Sequence, residues 1–203
     1  MNKLQESMNN TIVPEEKLPE TLPEREREYR QALDCIEQQE FGQAISILDE
    51  LAGAASRDAK LRYARAVALL SNGEYRRAGT DLAFTVALDR SNLEAYRHLG
   101  FVLLTMGKEE AAIKVLEEAL RRDPCFVEAW CVLADVHMDL GEHEKALDAL
   151  DKAHELQPRN VEVHCKLAMY YMSRGDMRGL RAEYEVLREI EPDVAAQIAE
   201  LLP

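Results

Sequence analysis

The sequence predicts an all-α protein, an α-solenoid of five helical hairpins closed by a C-terminal capping helix. Three observations predict it. From Arg25 onward apolar residues recur at i, i+3, i+4 and i+7, and no stretch alternates with a period of two for long enough to make a strand. The body repeats every 34 residues without insertion, in blocks 25–58, 59–92, 93–126, 127–160 and 161–194. Within the blocks, glycine, alanine and proline return at fixed places where a turn, a close helix contact and a helix stop are needed.

Residues 1–24 precede the blocks and carry Pro14, Pro19 and Pro23 with five Glu and two Lys, without sustained periodicity. They read as a mobile acidic arm. Each block then reads as helix, turn, helix. Gly73, Gly107, Gly141 and Gly175 hold the fifteenth place of the last four blocks, where a left-handed backbone ends the first helix. Ala44, Ala78, Ala112 and Ala146 hold the twentieth place and let the second helix approach the first. Leu48, Leu82, Leu116, Leu150 and Tyr184 fill the twenty-fourth place, and Pro124, Pro158 and Pro192 the thirty-second, where proline stops the second helix. Asp58, Asn92 and Asn160 stand at block ends as N-caps, with Glu94, Glu128 and Glu162 two residues later in the first turn. Three departures are expected to matter. Glu28 and Gln31 replace large apolar residues in the first block, Arg62, Arg65 and Arg90 depart in the second, and Leu180 in place of alanine is expected to hold the last two paired helices further apart. A final helix at about 194–202, capped by Asp193, would cover the last hairpin with Val194, Ile198, Leu201 and Leu202.

Tyr96-x2-Leu99-Gly100-x2-Leu103 with Ala112, Leu116, Ala119 and Pro124 resembles the tetratricopeptide repeat. Trp130-x2-Leu133-Ala134-x2-His137 with Ala146, Leu150, Ala153 and Pro158 resembles it again. The resemblance implies a right-handed solenoid over 25–203 whose first helices line a concave surface, with the second, fifth, ninth and twelfth places pointing into it. On that register the inward places hold Glu26, Tyr29, Leu33 and Ile36 in the first block, and Lys60, Tyr63, Val67 and Leu70 in the second. Glu94, Arg97, Phe101 and Leu104 follow from the third, Glu128, Cys131, Asp135 and Met138 from the fourth, and Glu162, Cys165, Met169 and Met172 from the fifth. Of the fifteen residues at the fifth, ninth and twelfth places, only Arg97 and Asp135 are not apolar. Such a stripe asks to be covered by a ligand, a partner or the chain's own arm. Equally, positions such as the twelfth are those that pack between neighbouring first helices.

Composition narrows the partner. A net charge of −13 opposes nucleic acid and anionic lipid, both of which need a concentrated Lys/Arg surface. The longest apolar run, Ala66 to Leu70, is far short of the roughly 18 residues of a bilayer span, so no membrane insertion is expected. The N-terminus lacks an apolar signal core, and a cytoplasmic location is expected. Cys35, Cys125, Cys131 and Cys165 form no CxxC pair and read as reduced thiols. Only the second block is net basic, through Lys60, Arg62, Arg65, Arg76, Arg77 and Arg90. That reads either as a solvated basic face or, through Lys60 and Arg97, as a partner for an acidic group on the ligand.

Catalytic chemistry has no sequence support. The five histidines do not gather, Asp135 and Asp139 face no opposing acid, base or metal motif, and no Walker A, HExxH or GxSxG sequence occurs. Cys131, Cys165 and the groove methionines are soft ligands, but neighbouring first helices roughly 10 Å apart make one shared metal ion awkward. No cofactor is expected. The basic clamp with which some tetratricopeptide proteins hold chaperone C-termini is missing, since Tyr29, Leu33, Tyr63 and Val67 occupy its places. The expected function is a non-catalytic adaptor or chaperone that binds an extended or helical segment of a partner protein. The alternatives are a self-assembling scaffold, with homo-oligomers, and a cytosolic chaperone for type III secretion translocators, which such small acidic repeat proteins resemble in design. Ile12-Val13-Pro14 and Leu18-Pro19 of the arm are expected to be able to lie in the groove.

Overall fold

The structure, a computed structural model, describes residues 23–52 and 57–199. The arm, and with it the expectation of its docking, lies outside them, as do Leu201 and Leu202. Eleven helices and no strand occur among the described residues: α1 Glu24–Glu37, α2 Phe41–Ala52, α3 Ala59–Ser71, α4 Tyr75–Leu88, α5 Leu93–Thr105, α6 Glu109–Arg122, α7 Val127–Asp139, α8 His143–Leu156, α9 Val161–Ser173, α10 Met177–Ile190 and α11 Pro192–Ala199. They form two compact units, parted within α5 between Ala95 and Tyr96.

Each hairpin turns by the same device. Gly73, Gly107, Gly141 and Gly175 take φ of +79°, +65°, +71° and +67°, and the next residue's N–H reaches back to the carbonyl five earlier, as from Glu142 to His137 at 2.8 Å. The first hairpin makes this turn without glycine. Gln39 sits at φ 64°, with Glu40 N–H donating to Cys35 at 2.8 Å. A side chain there carries strain of roughly 1–2 kcal/mol, partly offset by the lower chain entropy it keeps. Gln39→Gly is therefore expected to raise stability by about 0.5–1 kcal/mol in urea unfolding; no gain would show that the turn relaxes around glutamine.

Ala44, Ala78, Ala112 and Ala146 are fully buried where paired helices meet. The last hairpin corrects the sequence reading. Leu180 is itself buried, and the close contact is carried one residue earlier, where a Cβ on Gly179 would stand 2.5 Å from the Tyr171 ring. The N-caps form as expected: Asp58 accepts from Lys60 and Leu61 at 3.0 and 3.3 Å, Asn92 from Ala95 at 2.9 Å, and Asn160 from Glu162 and Val163 at 2.8 and 3.3 Å. Asp193 does not cap α11, because the helix already starts at Pro192 and Asp193 lies inside its first turn. Ala195 and Ile198 of α11 close a cluster with Ala168, Leu180 and Leu187. Glu28 and Gln31 are exposed, so α1 turns a polar face outward where later hairpins pack.

Two ties explain the polar departures in the repeat. Trp130, at the fourth place, donates its indole N–H to the Pro124 carbonyl at 2.9 Å, and His164, at the same place one block later, brings Nε2 to 2.9 Å from the Pro158 carbonyl. Histidine thus keeps the donor that tryptophan supplies. The fourth place also faces the twenty-third, 19 residues on. Arg62 Nη1 donates to Asp81 at 2.8 Å, and His164 Nδ1 lies 2.6 Å from Glu183, whereas Trp130 has Ala149 at the corresponding position. In the second and fifth blocks a basic or imidazole side chain at the fourth place is answered by an acid at the twenty-third.

In the first unit this pairing grows into a network across three helices. Asp81, almost wholly buried, also takes two bonds from Arg65 at 2.7 and 2.8 Å; Arg65 reaches Asp49 of α2 at 2.9 Å; and Arg77 adds a further bond to Asp49 at 2.8 Å. The Arg62 guanidinium lies 4.3 Å from the centre of the Phe84 ring. This corrects the reading of a basic face: Arg62, Arg65 and Arg77 are neutralised within the unit.

Candidate functional site

The proposed contact positions sit on first helices, and the two units are described separately. In the first, α1 and α3 carry Tyr29, Leu33 and Tyr63, all half-buried, and Lys60, exposed. The Tyr29 hydroxyl is pushed above its ordinary pKa by burial, then by Asp58 and Glu26, so it remains a neutral donor. Ile36, Val67 and Leu70 correct the sequence reading. They are sealed in the packing at 3%, 7% and 5% exposure, and they hold helices together rather than offer contact area.

In the second unit α5 presents Arg97, Phe101 and Leu104, each half-buried. Arg97 Nη2 lies 2.7 Å from Nε2 of the buried His98, whose pKa falls well below the usual value through burial and then the Arg97 charge. The ring is neutral and accepts from arginine.

The faces of α7 and α9 lie side by side. Lys166 of α9 donates to Asp135 of α7, and Cys131 beneath them is 1% exposed, a further correction to the predicted contacts. Burial, followed by the charge of Glu162, pushes the Cys131 thiol up to about 12, so it behaves as a small apolar side chain. Burial also raises the Asp135 pKa against the pull of Lys166; burial works against the Lys166 charge, but Asp135 and Glu162 outweigh it and hold that ammonium on. Met138 packs half-buried on the core of the α7–α8 hairpin, and Cys165 on the C-terminal cluster. Met169 and Met172 stand 53% and 40% exposed. Lys166 was missed because its place in the block is not one of the expected inward places; only its neighbour across the helix pair reveals it.

All four cysteines are free thiols. Among the described residues no group of His, Cys, Asp and Glu is arranged to hold a metal, and no helix is long and apolar enough to cross a membrane. The geometry presents apolar contact surface with fixed charges beside it.

Helical hairpins stacked on a 34-residue register, with side chains exposed on their first helices, define a repeat protein of the binding-surface kind. The chain belongs to the tetratricopeptide repeat family, whose profile matches residues 29–95 and 99–161. A thermophilic TPR protein of Thermus thermophilus superposes with a TM-score of 0.74 over 87% of this chain and 97% of its own, at 22% identity. MamA of Desulfovibrio magneticus RS-1 gives 0.70 over 85% and 98%, at 24% identity. YrrB, described as a TPR protein with an unusual peptide-binding site, gives 0.62 over 86% and 91%, at 18% identity. These likenesses show the fold. DnaJ homolog subfamily C member 3 of Gallus gallus and of Bos taurus are 32% and 33% identical over 100 residues, 49% of this chain; the chain spans only 20% of their length.

Proposed function

We propose that the chain is a non-catalytic cytosolic adaptor that binds a segment of a partner protein on its first-helix surface, chaperoning of that segment being one form of the role. The observation that carries it is the pair Met169 and Met172, left exposed on α9 at the ninth and twelfth places, where a repeat protein meets its ligand. Methionine there gives flexible, polarizable contact that accepts more than one side-chain shape. Tyr29, Tyr63 and Phe101 offer aromatic area at the fifth and ninth places of other first helices. YrrB's described peptide-binding site, on the same fold, supports the reading. A pull-down comparing wild type with Met169→Glu/Met172→Glu tests it. The expected result is loss of at least one retained protein with helicity unchanged by circular dichroism; identical retention by both overturns it.

Self-assembly as a scaffold is a second reading, supported by Phe84 and Leu88, exposed at 50% and 43% four residues apart on the second helix α4. Light scattering on the same two proteins separates the readings, because assembly through α4 is indifferent to charges on α9.

A further inference from the structure

The common face of α7 and α9 is charged as well as apolar. The groups acting on the sealed Cys131 thiol identify its surroundings: Glu162 and Lys166 from α9, Asp135 and Glu128 from α7. Lys166 is committed to Asp135. Glu128 and Glu162 are half-buried, and among the described residues neither carboxylate makes a hydrogen bond or a close ion pair; Glu162 acts on Lys166 only at longer range. Both lie in a first helical turn, where the helix dipole favours an acidic side chain. Three carboxylates therefore act on this face with one ammonium, and Met169 and Met172 lie exposed about 10 and 15 Å further along α9 from Glu162.

A segment that runs along this face from the methionines to the first turns of α7 and α9 also strips water from Glu128 and Glu162. A neutral or acidic segment would leave those charges desolvated and unanswered, which opposes binding; a cationic one pairs them. The arginines Arg62 and Arg65 of this chain are already bound to Asp81, so they do not supply that charge.

We infer that the α7–α9 face takes a cationic amphipathic segment of another protein, with an apolar side chain on Met169 and Met172 and, two to three helical turns away along the face, a Lys or Arg paired with Glu128 or Glu162. This rests on the binding reading above and adds the sign of the partner's charge.

The test uses three bead-bound pools of randomised peptides of about 15 residues, long enough to cross adjacent first helices. Each pool contains Leu, Met and Phe, with its polar positions drawn from Lys/Arg, from Gln/Ser, or from Asp/Glu. Full-length wild type is expected to be retained by the cationic pool about tenfold over the neutral one, and Glu128→Gln/Glu162→Gln to lose most of that preference. Glu117→Gln/Glu144→Gln, which removes the same charge from exposed positions on α6 and α8, is expected to keep it. Equal retention of cationic and neutral pools, a preference for the acidic pool, or an equal loss in both charge variants overturns the inference; the last identifies the effect as the general field of an acidic protein. Met169→Gln/Met172→Gln is expected to lose retention of every pool. If it matches wild type throughout, the binding reading itself fails, which is a different outcome from failure of the charge preference.

Discussion

Replacing Asp81 by alanine is expected to destabilise the first unit by about 3–5 kcal/mol, because the buried Arg62 and the half-buried Arg65 guanidiniums lose their shared counter-charge. Arg62 and Asp81 are at 6% and 3% exposure, so water cannot take the carboxylate's place without opening the α3–α4 hairpin. Arg65 keeps its bond to Asp49, and its side chain is somewhat more exposed, so the loss falls more heavily on the buried Arg62. Hydrogen exchange in α3 and α4, together with urea unfolding followed by circular dichroism, measures the loss. Asp81→Leu/Arg62→Leu/Arg65→Leu is expected to recover most of it, since removing the buried charges together replaces them with packing and leaves Asp49 paired with Arg77 at the surface. If Asp81→Ala alone costs less than about 1 kcal/mol, the network is solvated in practice and carries little of the unit's stability.

The second large effect falls on the last hairpin. His164→Phe is expected to cost about 2–4 kcal/mol, since both ring nitrogens face oxygen acceptors, Glu183 at 2.6 Å and the Pro158 carbonyl at 2.9 Å, and phenylalanine satisfies neither. The comparison that isolates the cause is His164→Trp/Glu183→Ala, which transplants the Trp130 and Ala149 combination of the preceding block. Tryptophan restores the donor to the turn carbonyl, and alanine removes the stranded carboxylate. Thermal unfolding of the double variant near wild type supports the pairing of these two places; a loss as large as that of His164→Phe shows that bulk, rather than polarity, sets the requirement there.

Most of the fold was legible because its determinants are local and recur. The four glycines announce the left-handed turns, and Asp58, Asn92 and Asn160 announce the caps, since each acts on backbone within a few residues. Gln39 hid its turn by adopting φ 64° without glycine. What escaped was partner choice at a distance. Arg62 and Arg65 read as loose basic residues because Asp81 is 19 and 16 residues away, although the same spacing joins His164 to Glu183 and was available as a rule. The contact surface was legible only in part. Places five, nine and twelve share one helix face, but neighbouring packing decides which of them reach solvent. Cys131 is sealed while Cys165, at the same place one block later, is half-buried; Leu70 is sealed while Met172 is open.

A linear array ordinarily comes apart from its ends, each hairpin leaving at the cost of one neighbour interface. The bonds from Arg65 and Arg77 to Asp49 change that for the first hairpin, because α2 cannot peel away without abandoning cations held by α3 and α4. Partial unravelling from that side is thereby penalised, and the first two hairpins are bound into a single cooperative step of opening.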